Sequence, residues 1–327
     1  MIKLTPDDFS SGAVIKWCAG CGNYAILSSV KRAMAEIGLE KERYVVVSGI
    51  GCSSRLPYYV GTYGYHTIHG RAIAVASGIK LSNPNLCVFV VSGDGDALSI
   101  GGNHLMHAIR RNIGLKLLMF NNRIYALTKG QASPTTLYGS KTKTTPEGNI
   151  DRAINPVALA ISLGASFVAR CIDTEIDINA SVIKSAAVNA GFAFIEFLQK
   201  CVVFTDKEFD VYKSPQTRDD AILRVEDGKP MIFGKNRNKA VVVRGFNPQV
   251  IEFDPSKPPL DLTVYDSSNY ILAFIVSSLL PPQFPLPVGV FYKESSISYE
   301  EKYYSSVKGK RYDNLESVIG GGIYEIK

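Results

Sequence analysis

The sequence lacks the features that would take it out of the ordinary globular enzymes. No internal repeat or low-complexity block occurs, which excludes a repeat architecture. No apolar run is long enough for a bilayer. The longest, residues 270–280, stops at Pro281-Pro282 and reads as a buried helix, so no membrane partner is expected. The opening residues 1–8 have no apolar core of the kind a secretory signal needs, and a cytoplasmic location is expected. No Lys/Arg tract or nucleic-acid-binding module is present, so no nucleic acid partner is expected either.

What is present is 327 residues, 46% of them hydrophobic and 20% charged, enough for one large or two modest domains with an ample core. The net charge of +6 is uneven. Residues 1–200 hold 20 Lys/Arg against 13 Asp/Glu, whereas residues 201–327 hold 16 against 17. The positive excess of the first part suits a phosphorylated ligand or an acidic protein partner.

Short β-branched runs at 44–48, 87–92, 115–121, 166–170 and 192–197 predict buried parallel strands. Helical patterns at 24–37, 72–81, 102–111, 156–163 and 176–190 lie between them. This alternation predicts an α/β fold: a doubly wound, mostly parallel sheet with right-handed crossovers. Gly51, Gly93 and Asn121 then fall at strand C-termini, the edge where such sheets bind ligands. Residues 129–149 are polar and rich in Gly, Ser, Thr and Pro, as in a long functional loop. After residue 205 the pattern weakens, and Pro-rich stretches at 255–262 and 281–288 suggest a wrapping tail. The chain is therefore divided into a binding domain, 1–205, and a C-terminal extension, 206–327.

The strongest local signal is Gly93-Asp94-Gly95-Asp96, directly after one strand, with Asn121-Asn122 closing the next; Asn122 lies 28 positions beyond Asp94. Neighbouring strand ends bring the carboxylate and the amide together. They offer hard oxygen ligands to a small divalent cation, and the glycines let a diphosphate approach the backbone. Asp-Gly alone is an ordinary turn, but the spacing is similar to the thiamine-diphosphate motif.

Six cysteines occur: Cys18, Cys21, Cys52, Cys87, Cys171 and Cys201. Cys18-Ala19-Gly20-Cys21 can hold two thiolates on one metal centre. With Cys52 and Cys201, each following a strand, it could close a four-thiolate site for a [4Fe-4S] cluster or for zinc. The alternative is that Cys52 and Cys201 are isolated buried thiols. Cys87 and Cys171, inside and at the end of strands, read as core.

Five segments in order carry a family resemblance: residues 17–22 (WCAGCG), 49–54 (GIGCSS), 66–72 (HTIHGRA), 93–96 (GDGD) and 127–133 (LTKGQAS). The chain resembles the β subunit of archaeal 2-oxoacid:ferredoxin oxidoreductases, densely over 12–205 and more loosely at 287–291. The resemblance implies CoA-dependent oxidative decarboxylation of 2-oxoacids to acyl-CoA and CO2. It also implies three cofactors: thiamine diphosphate, Mg2+ and one [4Fe-4S] cluster. The Mg2+ ligands would be Asp94, Asn122 and the carbonyl of Ile124. Ile50, Gly51, Cys52, Ser53, His69, Gly95, Asp96, Ala126 and Leu127 would hold the diphosphate. The cluster ligands would be Cys18, Cys21, Cys52 and Cys201; the family more commonly continues the last as Cys-Pro-Thr, where this chain has Cys201-Val202-Val203. Partners implied are an α subunit, which would supply the activating glutamate and pack against the C-terminal extension, and ferredoxin, with a 2-oxoacid and coenzyme A as substrates. Two competing functions stay open: a non-redox thiamine-diphosphate lyase or decarboxylase, and a zinc-stapled, non-catalytic interaction module.

Other polar residues carry two readings. Arg55 and Leu127 are candidates for the substrate side of the pocket, though Arg55 also suits an exposed loop. His69 could meet a phosphate or pack under its loop, and Asp96 could orient the diphosphate or cap the next helix. His104 and His107 have the spacing of a metal pair on a helix face but are expected to pack. Lys141 and Lys143, and the 308–311 basic cluster, read as solvated surface.

Overall fold

Alternate strand residues face two separate apolar cores, and that alternation builds the molecule. The computed structural model describes residues 4–307; the 308–311 basic cluster lies outside them. The strands are β1 (Tyr44–Ser48), β2 (Tyr63–His66), β3 (Cys87–Gly93), β4 (Leu115–Asn121), β5 (Ile124–Tyr125), β6 (Gln131–Ala132), β7 (Phe167–Ile172), β8 (Ala193–Leu198), β9 (Ile222–Val225), β10 (Ile232–Phe233), β11 (Lys239–Arg244), β12 (Asn247–Glu252) and β13 (Leu286–Lys293). The helices are α1 (Asn23–Ile37), α2 (Ala72–Ser82), α3 (Asp94–Leu98), α4 (Gly102–Arg111), α5 (Pro156–Ser162), α6 (Ile176–Val188), α7 (Arg218–Ala221), α8 (Tyr270–Ser277) and α9 (Tyr299–Val307).

The central sheet has eight strands in the order β2-β1-β3-β4-β8-β7-β13-β9. The first six are mutually parallel, and β13 runs antiparallel to β7. Val45, Val47, Val88, Val90, Leu115 and Leu117 face the core beneath α2, α4, α5 and α8. Tyr44, Val46, Phe89, Val91, Leu118 and Phe120 face the core beneath α1 and α6. Period-two strands buried on both faces, each followed by a helix, give the doubly wound fold the sequence predicts. Local chemistry sets the helix ends: Asn155 caps α5 by accepting from the Ala158 N–H at 3.3 Å. Gly38 closes α1 at φ 76°, a left-handed conformation glycine adopts at no steric cost.

From residue 206 the chain wraps back over the same sheet. It supplies β9 and β13 to that sheet and a small antiparallel sheet, β10-β11-β12. The weak pattern of this stretch does not predict those strands. Residues 270–280 differ from expectation too. In α8, Leu272, Ala273 and Val276 are buried, whereas Ile271 and Phe274 are exposed, so the helix buries one face only. Among the described residues no helix is long and apolar enough to cross a membrane.

Three buried charged residues sit within the sheet. Arg170 on β7 pairs with Glu196 on β8, Nε to Oε2 2.6 Å, and Glu196 also accepts from Asn121 Nδ2 at 2.7 Å. Lys116, at the N-terminal end of β4, donates to the carbonyls of Asn189 (2.5 Å) and Gly191 (2.9 Å), and burial pushes its pKa down to about 8.

Candidate functional site

The register of the sheet aligns four strand ends. Ser48 pairs with Val91, Gly93 with Phe120 and Asn121 with Leu198, so the segments after β1, β3, β4 and β8 emerge side by side. Between them lies an open cleft of about 650 Å3, the open solvent at its mouth included. Ile50, Gly51, Cys52 and Ser53 line it from β1, and Asp94, Gly95 and Asp96 from β3. Asn122, Ile124, Ala126 and Leu127 line it from β4, with His69 from the loop before α2. All twelve residues expected to bind Mg2+ or diphosphate therefore share one cavity. Arg55 is absent from its walls; it sits in the turn of 3-10 helix at Ser53–Tyr59 with its Nε donating to Tyr59 Oη at 3.1 Å. Leu127 is half-exposed at the cleft.

The two aspartates of the motif do different things. Asp94 is 2% exposed, and its Oδ2 accepts from Ser133 Oγ at 2.5 Å and Thr135 Oγ1 at 2.6 Å. Burial pushes its pKa up to about 6, against the pull of those two hydroxyls. Thr135 Oγ1 also lies 2.9 Å from Asn121 Oδ1, which ties the carboxylate through Asn121 to the Glu196–Arg170 pair. Asp96 instead joins loops. Its Oδ1 accepts from the Gly70 N–H (2.7 Å) and the Ile50 N–H (3.3 Å) and meets His69 Nδ1 at 2.6 Å, while Ser92 Oγ donates to Oδ2. That pairing leaves Nδ1 of a neutral His69 protonated and Nε2 as its remaining acceptor. A Cβ on Gly49 would stand 1.9 Å from Asp96 Oδ2, so the carboxylate fits only beside a glycine. Tyr125 covers the Gly95 backbone, where a Cβ would come within 2.2 Å of its ring, and its Oη donates to the Gly95 carbonyl at 3.1 Å.

One wall of the cleft is shared with a corner of cysteines. Cys18 is exposed, Cys21 and Cys52 are half-buried, and Cys201 is buried. The Cys21 thiol is pushed up to about 12, chiefly by burial; the Asn23 N–H opposes this, and the nearby thiols of Cys201, Cys52 and Cys18 push it further. Burial also raises Cys52, again with Cys201 and Cys18 adding to it. Cys21 is thus within electrostatic reach of the other three. Side chains from elsewhere hold the corner together. Trp17 Nε1 donates to the Cys52 carbonyl at 2.7 Å, and Gln199 Nε2 donates to Cys21 Sγ at 3.3 Å. Asp173 accepts from the Lys200 N–H at 2.8 Å and pairs with Lys213 Nζ at 2.6 Å. A Cβ on Gly22 would meet Asp173 Oδ2 at 2.0 Å. Among the described residues no three His, Cys, Asp or Glu side chains stand where they could share a single ion. Cys87 and Cys171 lie in the core.

Ser133, Thr135, Tyr125, Gln199, Asp173 and Lys213 are the site's supporting residues that the sequence does not single out. Ser133 ends one of the five family segments, the one available signal. Asp173 and Lys213 act across long sequence separations and leave none. His107 faces Arg110, its Nδ1 3.4 Å from Nε, so the pair with His104 has no metal-like setting.

A cleft at parallel strand ends, with a buried aspartate and an asparagine on neighbouring strands, is the layout of a thiamine-diphosphate-binding domain. Residues 49–197 match the family described as thiamine pyrophosphate enzyme, C-terminal TPP binding domain. Over 243 residues the chain is 49% identical to 2-oxoglutarate oxidoreductase subunit KorB of Mycobacterium tuberculosis, covering 74% of this chain and 65% of that one. Over 190 residues it is 49% identical to 2-oxoacid:ferredoxin oxidoreductase 1, subunit beta, of Aeropyrum pernix, covering 58% and 60%. The match thus spans somewhat less than two thirds of these two curated relatives. A solved 2-oxoglutarate:ferredoxin oxidoreductase from Magnetococcus marinus, with 2-oxoglutarate, coenzyme A and succinyl-CoA bound, superimposes with a TM-score of 0.80 at 31% identity, covering 98% of this chain and 96% of that one. The chain belongs to the 2-oxoacid:ferredoxin oxidoreductase β-subunit family.

Proposed function

We propose that this chain is the thiamine-diphosphate-binding half of an enzyme that converts a 2-oxoacid and coenzyme A into acyl-CoA and CO2, passing the electrons to ferredoxin. The observation that carries this is the shared wall: Cys52 and Gln199 line the cleft and also belong to the thiol corner. A redox centre there is adjacent to whatever the cleft holds. When bound, thiamine diphosphate supplies the carbon nucleophile and the electron sink for loss of CO2.

The residues fit that cofactor and its metal. Asp94, the Asn122 side chain and the Ile124 carbonyl would hold Mg2+; a buried carboxylate pushed up to about 6 is stabilised by a cation beside it. Ile50 to Ser53, His69, Gly95, Asp96, Ala126 and Leu127 would bind the diphosphate. Ser53 Oγ is buried without a partner, a donor available to a phosphate oxygen. Cys18, Cys21, Cys52 and Cys201 would hold a [4Fe-4S] cluster. As thiolates the four would repel one another and favour a cationic centre, and each thiolate of such a cluster takes its own iron, so no common ion is needed. Cys18, the exposed member, gives electrons a way out towards ferredoxin.

The active site would be completed by an α subunit supplying the activating glutamate. Ile50, Ile68, Ile100 and Leu127 stand exposed along the cleft's edge of the sheet, an apolar rim suited to a covering protein. The extension from 206 would pack against the same partner. The compartment would be the cytoplasm, where the six free cysteines stay reduced. Substrate assays start with 2-oxoglutarate, named for the Mycobacterium and Magnetococcus relatives.

Co-purification with the partner, followed by iron, sulfide and thiamine quantification, tests the proposal: four irons and one thiamine per chain are expected. A colourless, thiamine-bound complex would instead identify a non-redox lyase. One zinc per chain without thiamine would identify an interaction module. Decarboxylation at full rate by the single chain would refute the need for a partner.

A further inference from the structure

We infer that Gln199 sets the potential of the iron–sulfur centre, its side-chain amide donating to Cys21 Sγ from the wall of the thiamine cleft. The inference rests on the cluster assignment proposed above. Gln199 follows β8, is 1% exposed and lines the cleft together with Cys52. Its own N–H is anchored on the Asn121 carbonyl at 2.9 Å, so the residue is fixed at the end of β4 where the cleft begins. The side-chain Nε2 donates both to Cys21 Sγ, at 3.3 Å, and to the Lys200 carbonyl. The second bond fixes which end of the amide faces the sulfur. Among the described residues it is the one side-chain hydrogen bond to a cysteine sulfur.

A donor aimed at a cluster sulfur stabilises the form with more negative charge on that sulfur, which is the reduced cluster. The amide is buried with the rest of Gln199, so the interaction is little screened. Reduction here adds one electron to the centre, and Gln199 makes and breaks no covalent bond. The residue is a positioning and tuning group. It raises the potential of a centre that must take electrons from the cleft next to it.

The test is a redox titration of the purified complex followed by low-temperature electron paramagnetic resonance, on wild type, Gln199→Met and Gln199→Glu. Gln199→Met removes the donor at similar size. It is expected to lower the reduced-to-oxidised ratio at fixed potential about three- to tenfold, equivalent to about 28–59 mV for a one-electron couple. Gln199→Glu, which adds negative charge, is expected to lower it further. Retained clusters with unchanged potentials in both variants would overturn the inference. If neither variant holds its cluster, pulsed resonance on reduced wild type carrying side-chain 15N-glutamine decides. Hyperfine coupling from that nitrogen supports the bond, and its absence overturns it. A wild-type complex with no cluster signal at all would overturn the proposed function itself, and that failure is visible before any variant is made.

Discussion

The cleft and the cysteine corner share Cys52 and Gln199, yet they are built by different means. The cleft takes its shape from hydrogen-bonded strands in register, each delivering its loop to the same edge. Its support is local and repeated: Asp96 alone ties the segments at Ile50, Gly70 and Ser92. The corner gathers chain from residues 17–22, 52 and 199–201 with few secondary-structure bonds between them. Single side chains hold it, above all Asp173, which joins the Lys200 backbone to Lys213. A region framed by a sheet tolerates the loss of one contact; a region clamped by one buried ion pair does not.

The sharpest way to separate the two is Asp173→Ala. It strands Lys213, whose side chain is 12% exposed, and frees Lys200. A cost of about 4 kcal/mol is expected, read from the denaturant midpoint. Iron should be lost from the purified chain while thiamine binding stays within a factor of about two. Equal loss of both would erase the distinction.

The far edge of the sheet supplies a control. Burial lowers Lys116 to about 8, below its unfolded value of about 10.4. Between those values the unfolded chain holds the proton and the folded chain does not, so stability should rise with pH across that window. The gain is about 3 kcal/mol, flat on either side. Lys116→Met should abolish this rise in a comparison of unfolding curves from pH 7 to 11, and leave iron and thiamine contents alone.

Within the cleft, Thr135→Val removes one of two hydroxyls from Asp94 and one from Asn121. Mg2+-dependent thiamine diphosphate binding, measured by calorimetry, should weaken about tenfold, the worth of one hydrogen bond to a charged group. Cluster content should not change. The smallest effect is expected for Tyr125→Phe, which loses the hydroxyl's bond to the Gly95 carbonyl and its contact with Ser99. The cost is about 0.5–1 kcal/mol, a two- to fivefold weaker cofactor, by the same measurement. A larger loss than in Thr135→Val would mean the ring, not the carboxylate, organises the diphosphate.

The cleft was legible in the sequence because its residues sit where strand patterns end. Leu115–Asn121 and Tyr44–Ser48 are strands over the very residues the apolar runs predict, and eleven of the twelve binding candidates fall at or just beyond such ends; His69 instead precedes a helix. The cysteines were visible as residue types, but their clamps were not. Asp173 and Lys213 lie 40 positions apart and match no local pattern. Likewise β9 and β13 were missed because Ile222–Val225 is short and β13 contains Pro287 and Gly289, weak strand formers tolerated here by pairing with β7 and each other. Arg55 follows the motif in sequence, and its guanidinium is turned to Tyr59 in space.

β2 forms one end of the central sheet, with Tyr63 and Tyr65 largely exposed along it. An uncovered ribbon of unpaired amides and aromatic rings invites strand-to-strand sticking between molecules. Made without a companion, the chain should therefore foul its own preparation, and yield should depend more on what is expressed alongside it than on buffer or temperature.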